Sequence, residues 1–133
     1  MSKHQVTPGG LEQAADCFCL IHITRTKNNT HATISNLFGI EKTQWAISAG
    51  QLSSSLKSKG GRKTQFSQRL VYKTSIEKAL GLGYKFAVIH CKGDRGSKTR
   101  IYRMFSDALT VLLLKDTTGL AHNGCRPPKM RRI

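Results

Sequence analysis

The sequence predicts an α/β fold, a mixed sheet whose elements run βββ-α-β-α-β along the chain. Three observations carry that prediction. Residues 17–49 hold three short runs of β-forming residues separated by turn signals, the pattern of an antiparallel meander. Two later stretches, 64–81 and 101–108, space their apolar residues as helices do. Each is followed by one more strand-like run, so the chain must cross over the sheet and return parallel, with a right-handed connection.

Each element has its own warrant. Residues 1–16 are polar around Pro8-Gly9-Gly10 and read as a flexible N-terminal arm. In "CFCLIHIT" (17–24), Cys17, Cys19, Ile21 and Ile23 are apolar on one side and Phe18 and Leu20 on the other. This predicts a strand buried on both faces at its start, with the cysteines as core residues. "KNNT" (27–30) closes a tight hairpin, because Asn tolerates positive φ. Residues 31–37 form the second strand, 38–42 turn the chain, and 43–49 form the third strand with Trp45 and Ile47 on one face.

Residues 50–63 are rich in Ser, Gly and Lys and contain no acid, which predicts a long basic loop. Thr64 is the expected N-cap of a helix reaching Gly81. Phe66, Leu70, Tyr72, Ile76, Ala79 and Leu80 fall within one half of its wheel, a sector shared by Arg69 and Lys73. "YKFAVIHC" (84–91) reads as a buried strand, and "KGDRGSKT" (92–99) as a second glycine-rich basic loop. Ser97 or Thr99 then caps a helix with Ile101, Met104, Phe105 and Ala108 at i, i+3, i+4 and i+7. "TVLLLK" (110–115) is the last strand. The predicted organisation is an arm at 1–16, an α/β domain at 17–118 and an extended basic tail at 119–133.

Charge narrows the function. Lys plus Arg is 22 against 7 for Asp plus Glu in 133 residues, a net charge of +15. A well-solvated small domain carries a net charge of about 2–8 in magnitude. The excess repels itself in the compact state, and a polyanion relieves that repulsion, so nucleic acid is the leading partner class. A membrane is not expected: no run approaches the ~20 apolar residues of a span, and no secretory signal opens the chain.

A mixed sheet with a three-stranded meander is also the layout of ribonuclease H-like three-layer domains, so a metal-dependent nucleic-acid enzyme is one alternative to a structural binding protein, and a free basic RNA-binding regulator is the other. Two-metal chemistry needs carboxylates converging on ions about 4 Å apart. Of Glu12, Asp16, Glu41, Glu77, Asp94, Asp107 and Asp116, only Asp16 and Asp116 border strands. His122 and Cys125 lack the second tight pair that a structural zinc site requires. No catalytic residue, metal or cofactor is expected.

Binding is better supported. Lys57, Lys59, Arg62, Lys63 and Arg69 form one basic segment, Lys92, Arg95, Lys98, Arg100 and Arg103 a second, and Arg126, Lys129, Arg131 and Arg132 a third. The first two precede or open helices, whose N-termini present free N–H groups and a positive dipole end to phosphates. Pro127-Pro128 stiffens the tail. Aromatics are sparse in these loops, which favours folded RNA read by shape and phosphate over stacked single strands.

"NNTHATISN", "WAISAG", "GRKTQFSQ" and above all "HNGCRPPKMRRI" resemble the universal small-subunit ribosomal protein S-eleven family, in its bacterial or organellar form. The resemblance runs from about residue 17 to the end. It implies a ribonuclease H-like fold without catalysis. It also implies a structural place on the platform of the small subunit, near the E site and the messenger exit. The implied partners are small-subunit rRNA and neighbouring platform proteins, with messenger RNA nearby and neither membrane nor small-molecule substrate. Carried over by position, RNA contacts fall to Asn28, Asn29 and Thr30, to Arg62, Lys63 and Thr64, and to His122, Asn123, Gly124, Arg126, Pro127, Lys129, Arg131 and Arg132. The basic loops add Lys57, Lys59, Lys92, Arg95 and Lys98. Two local departures stand out. "KGDRGSK" replaces the family's Gly-Pro-Gly-Pro-Gly-Arg loop, and Thr118-Gly119-Leu120-Ala121 replaces its Thr-Pro-Ile-Pro. Such divergence points to a mitochondrial ribosome, with plastid and bacterial cytoplasm as the alternatives.

Overall fold

A computed structural model of the protein describes residues 17–38, 43–52, 59–62, 64–93 and 98–133. The predicted arm at 1–16 therefore lies outside the described residues, as do Lys57, Lys63, Arg95 and Asp16. The five strands are β1 (Phe18–Arg25), β2 (Thr30–Asn36), β3 (Thr43–Ser48), β4 (Phe86–Lys92) and β5 (Thr110–Asp116). The helices are α1 (Ala49–Leu52), α2 (Lys59–Arg62), α3 (Gln65–Gly81) and α4 (Lys98–Ser106).

The sheet order is β3-β2-β1-β4-β5. β2 lies antiparallel to both β1 and β3, while β4 is parallel to β1 and to β5. This is the mixed sheet that the element order predicts, a meander extended by two crossovers. Because β1, β3, β4 and β5 run the same way, their carboxyl ends meet at one edge.

Alternation along the strands selects the core face. Cys19, Ile21 and Ile23 of β1, Ala32 and Ile34 of β2, and Ala87, Ile89 and Cys91 of β4 join one buried cluster with Val71, Tyr72 and Ala79 of α3 and Ile101 and Phe105 of α4. The Tyr72 and Phe105 rings meet at 6.2 Å where the two helices touch. Fully burying a side chain of this kind contributes roughly 1.5–3 kcal/mol. Both long helices thus cover the same face, and the described residues build two of the three expected layers. On the opposite face Phe18 stacks on Phe86 at 4.8 Å, and the His22 and His90 rings meet edge-on at 5.2 Å. Leu20 between them is 4% exposed, so β1 is buried on both faces as predicted from Cys19 onward, whereas Cys17, expected in the core, precedes the strand and is only half-buried.

Four further expectations need correction. The third strand stops at Ser48, and Ala49 turns inward to open α1. The stretch expected to be one basic loop contains two short helices, α1 and α2. Four-residue helices leave no periodic trace in a sequence, because a single turn has no repeat to read. The inward face of α3 is Ser67, Gln68, Val71, Tyr72, Ser75 and Ala79, whereas Phe66 and Leu80 face outward. Serines fit inside because their hydroxyls donate to backbone carbonyls, Ser67 to Thr64 and Ser75 to Val71, both at 2.7 Å. Finally, α4 ends at Ser106, so Ala108 sits in the turn where Leu109 N–H donates to Phe105 O at 2.8 Å.

Two irregularities were invisible in the sequence, a β2–β3 register shift between Ile34 and Ser35 and one in β4–β5 that reaches the core. The β4–β5 register shifts between Ala87 and Val88, which face Val111 and Leu113, leaving Leu112 as an extra residue. A bulge inverts the side-chain phase. Val111 and Leu114 therefore both pack on the core although they are three apart, and Leu112 and Leu113 are each 52% exposed.

Candidate nucleic-acid interface

The edge where the parallel strands end gathers the described parts of the basic segments, except Arg69, which lies on the outer face of α3. It receives the β1–β2 turn, the start of α1, the helix α2, the N-termini of α3 and α4, and the root of the tail after β5. In open α/β sheets ligands bind at this carboxyl edge, since the connections converge there. Cationic segments far apart in sequence are brought together by topology alone.

The β1–β2 turn is rigid. Thr26 N–H and Thr26 Oγ1 donate to Asn29 O at 2.9 and 3.2 Å, and Thr30 N–H donates to Asn29 Oδ1 at 2.9 Å. Asn29 therefore shapes the turn with its own side chain and not with the positive φ expected of it, and Thr30 is enclosed at 1% exposure. Lys27 is exposed and Asn28 half-buried. Beside the turn, Arg25, Thr26, Lys27 and Gly93 line a concavity of about 470 Å³. The Gln68 amide, oriented with its oxygen toward Arg25, accepts from Nη2 and Nε at 2.8 and 2.9 Å. A neutral amide anchors the guanidinium without cancelling its charge. Neither Arg25 nor Lys27 was among the residues singled out in the sequence. The legible signal is a cation at or just past the last residue of a strand whose carboxyl end is the binding edge.

Gly93 is required at this corner. Its φ is +79°, and a Cβ there would lie 2.2 Å from Arg25 O. The β4 backbone crosses this close to the end of β1, which only glycine permits. Gly93 N–H donates to Thr118 Oγ1 at 2.9 Å, and Thr117 N–H donates to Cys91 O at 2.8 Å. These bonds pin the root of the tail to β4.

Lys98 sits in the same lattice. Its Nζ lies 2.5 Å from Asp116 Oδ2, and Thr118 donates to Asp116 Oδ1 from N at 3.0 Å and from Oγ1 at 2.7 Å. The Lys98 hydrogen bond, then those of Thr118, hold the Asp116 carboxyl well below the usual carboxylate range. Asp116 is thus committed to shaping the tail root. The described residues contain no group of three His, Cys, Asp or Glu side chains placed to hold an ion.

At α3, Thr64 caps the first turn. Its Oγ1 accepts from Ser67 N at 3.3 Å and donates to Gly61 O at 2.8 Å. No acid occupies that first turn, so beyond the capped Ser67 N–H no carboxylate competes with an anion for its positive dipole end. Lys59 opens α2 and Arg62 closes it. The Arg62 side chain passes Gly50, where a Cβ would lie 3.1 Å from its Cδ, and its buried Nε has no partner among the described residues. Lys92 is exposed at the end of β4. Every residue of 119–133 is exposed and outside helix or strand, including His122, Arg126, Pro127, Lys129, Arg131 and Arg132. Asn123 and Gly124 take φ of +65° and +41°, which bends the tail between His122 and Cys125.

Glu77 and Asp107, the other described acids, lie toward the C-terminal ends of α3 and α4, away from this edge. The result is an α/β domain that sets Arg25, Lys27, Arg62, Lys92 and Lys98 at one edge, with an exposed cationic tail rooted beside them. In class this is an α/β domain with one cationic edge and a cationic tail, without a described cluster of metal ligands.

The sequence matches the family described as Ribosomal protein S11 over residues 19–132. It is 39% identical over 116 residues to small ribosomal subunit protein uS11c of Tupiella akineta, covering 86% of this chain and 85% of that one. It is 35% identical over 135 residues to small ribosomal subunit protein uS11m of Prototheca wickerhamii, covering 100% and 98%. The uS11c protein of Phaeodactylum tricornutum is 39% identical over 116 residues, covering 86% and 85%. The chain belongs to the ribosomal protein S11 family, of the organellar type. That family is structural and not enzymatic, which closes the reading of a metal-dependent nucleic-acid enzyme.

Proposed function

We propose that this protein is a structural constituent of the small ribosomal subunit. It binds folded small-subunit rRNA on the platform, near the E site and the messenger exit, in a mitochondrial ribosome. The observation that carries the reading is that Arg25, Lys27, Arg62, Lys92, the α3 N-terminus and the root of the basic tail share one edge of the sheet, in a chain of this family. Relatives named both uS11m and uS11c support an organellar ribosome, with the plastid as the alternative compartment.

The chemistry divides into two parts. Lys27, Asn28, Arg62, Thr64 and Lys92 form a footing on the folded domain, together with the positive dipole end of α3. The tail from His122 to Arg132 is the reach, laid along a groove of RNA and stiffened by Pro127-Pro128. Phosphate contacts of this kind position a protein on RNA shape, while carrying little sequence information.

Direct binding tests this. Purified protein should bind a central-domain fragment of small-subunit rRNA far more tightly than an unstructured RNA of equal length. Its log affinity should fall with log salt by roughly 0.7–0.9 for each phosphate neutralised. Equal affinity for both RNAs, or a flat salt response, overturns the reading.

A further inference from the structure

The outer surface of α3 is patterned backwards for a helix that faces water. Inside it buries Ser67, Gln68 and Ser75, while outside Phe66 is 66% exposed and Leu80 48% exposed. Phe66, Leu70, Ile76 and Met104 line an open groove of about 600 Å³ between α3 and α4. Arg69, Lys73, Glu77 and Asp107 complete its wall. From Phe66 to Glu77 the groove follows α3 for about 16 Å at the helical rise, the length of three turns of a partner helix.

Its charge is unlike that of the rest of the molecule. The chain has 22 cations and 7 acids, yet this groove sets two of each around an apolar floor. Two of the three acids among the described residues are here, and the third, Asp116, is committed to Lys98. A phosphate backbone laid along it would meet Glu77 and Asp107 as well as Arg69 and Lys73, with no net positive charge to hold it. An apolar floor with a rim of both signs fits protein, because contiguous exposed apolar surface marks interaction sites and amphipathic helices dock in such grooves.

We infer that this groove seats an amphipathic helix of a neighbouring small-subunit protein. That helix presents apolar residues at i, i+4 and i+7, with an acid set against Arg69 and Lys73 and a base against Glu77 and Asp107. The identity of the neighbour rests on the ribosomal reading above; the groove itself does not. RNA and protein are thereby assigned to different surfaces, the carboxyl edge of the sheet and the outer seam of the helices.

Site-specific photo-cross-linking within small subunits tests the assignment. A benzoyl-phenylalanine replaces Phe66 in one preparation of the full chain and Arg131 in another, and adducts are identified by mass spectrometry. Position 66 should cross-link to one protein, on a helical segment with apolar residues at those spacings. Adding Leu70→Gln should lower that yield roughly tenfold, as expected for losing one buried leucine contact. Circular dichroism and thermal unfolding should be unchanged, since neither Phe66 nor Leu70 belongs to the core cluster. Position 131 should cross-link to RNA. Adducts from position 66 on RNA, or none while position 131 labels RNA, overturn the groove assignment and leave the ribosomal reading standing. A chain that fails to enter small subunits overturns the ribosomal reading and this inference with it.

Discussion

Replacing Arg126, Lys129, Arg131 and Arg132 together by alanine separates the tail from the fold. All four side chains are exposed, and among the described residues none has a carboxylate partner. Their charge is therefore available to RNA, and each phosphate neutralised contributes roughly 0.7–0.9 to the slope of log affinity against log salt. Losing four such contacts should flatten the slope by about 3. Over a fourfold rise in salt, the affinity gap between the native protein and the variant should then narrow by roughly 60-fold. Filter binding to rRNA across a salt series measures the slope, and urea unfolding measures stability. Stability should change by no more than about 0.5 kcal/mol, as for surface substitutions elsewhere. An unchanged slope would mean the tail does not lie on RNA. A collapse of the folded core would mean it packs against the domain.

Three further outcomes follow from the geometry. Gly93→Ala puts a Cβ 2.2 Å from Arg25 O at a φ of +79°. It should cost about 2–4 kcal/mol in urea unfolding, the left-handed penalty plus a backbone clash, and a loss under about 0.5 would refute the close crossing. Asp116 titrates below the ordinary range, so its bonds to Lys98 and Thr118 stabilise the tail root at neutral pH and are lost only in strong acid, as pH falls through the depressed value. Carboxyl-carbon NMR should find it ionised at about pH 3, and Lys98→Ala should move the midpoint back toward about 3.9; a native midpoint already there would contradict the lattice. Burial pushes the Cys19 thiol up to about 12, whereas Cys125 is exposed. Iodoacetamide at about pH 8 should label Cys125 in the native protein and Cys19 only after unfolding, because the thiolate is the nucleophile; equal native rates would place Cys19 outside the core.

Much of the architecture was legible because strands announce themselves locally. "CFCLIHIT" and "YKFAVIHC" carry the unbroken apolar runs of central strands, and the sheet sets β1 and β4 side by side in its middle. The helix α4 was legible for the same reason: Ile101 and Phe105 fall on one stripe and are both buried. The face of α3 was not, because a wheel ranks residues by hydrophobicity, whereas close packing selects small serines that satisfy their hydroxyls on their own helix. The bulge at Leu112 is a pairing property, set by β4 as much as by β5. The basic segments of the interface could be read from composition. Arg25 and Lys27 could not, because their significance lies in which end of β1 they occupy, and that depends on strand order.

Sedimentation of the native protein from organelle extracts tests the central claim most directly. With rRNA intact, the protein should migrate with small subunits at moderate salt and leave them as salt rises, or after ribonuclease treatment at any salt. A protein that sediments free of subunits at low salt, or that stays with the particle after its RNA has been digested and washed away, would contradict an RNA-bound structural role.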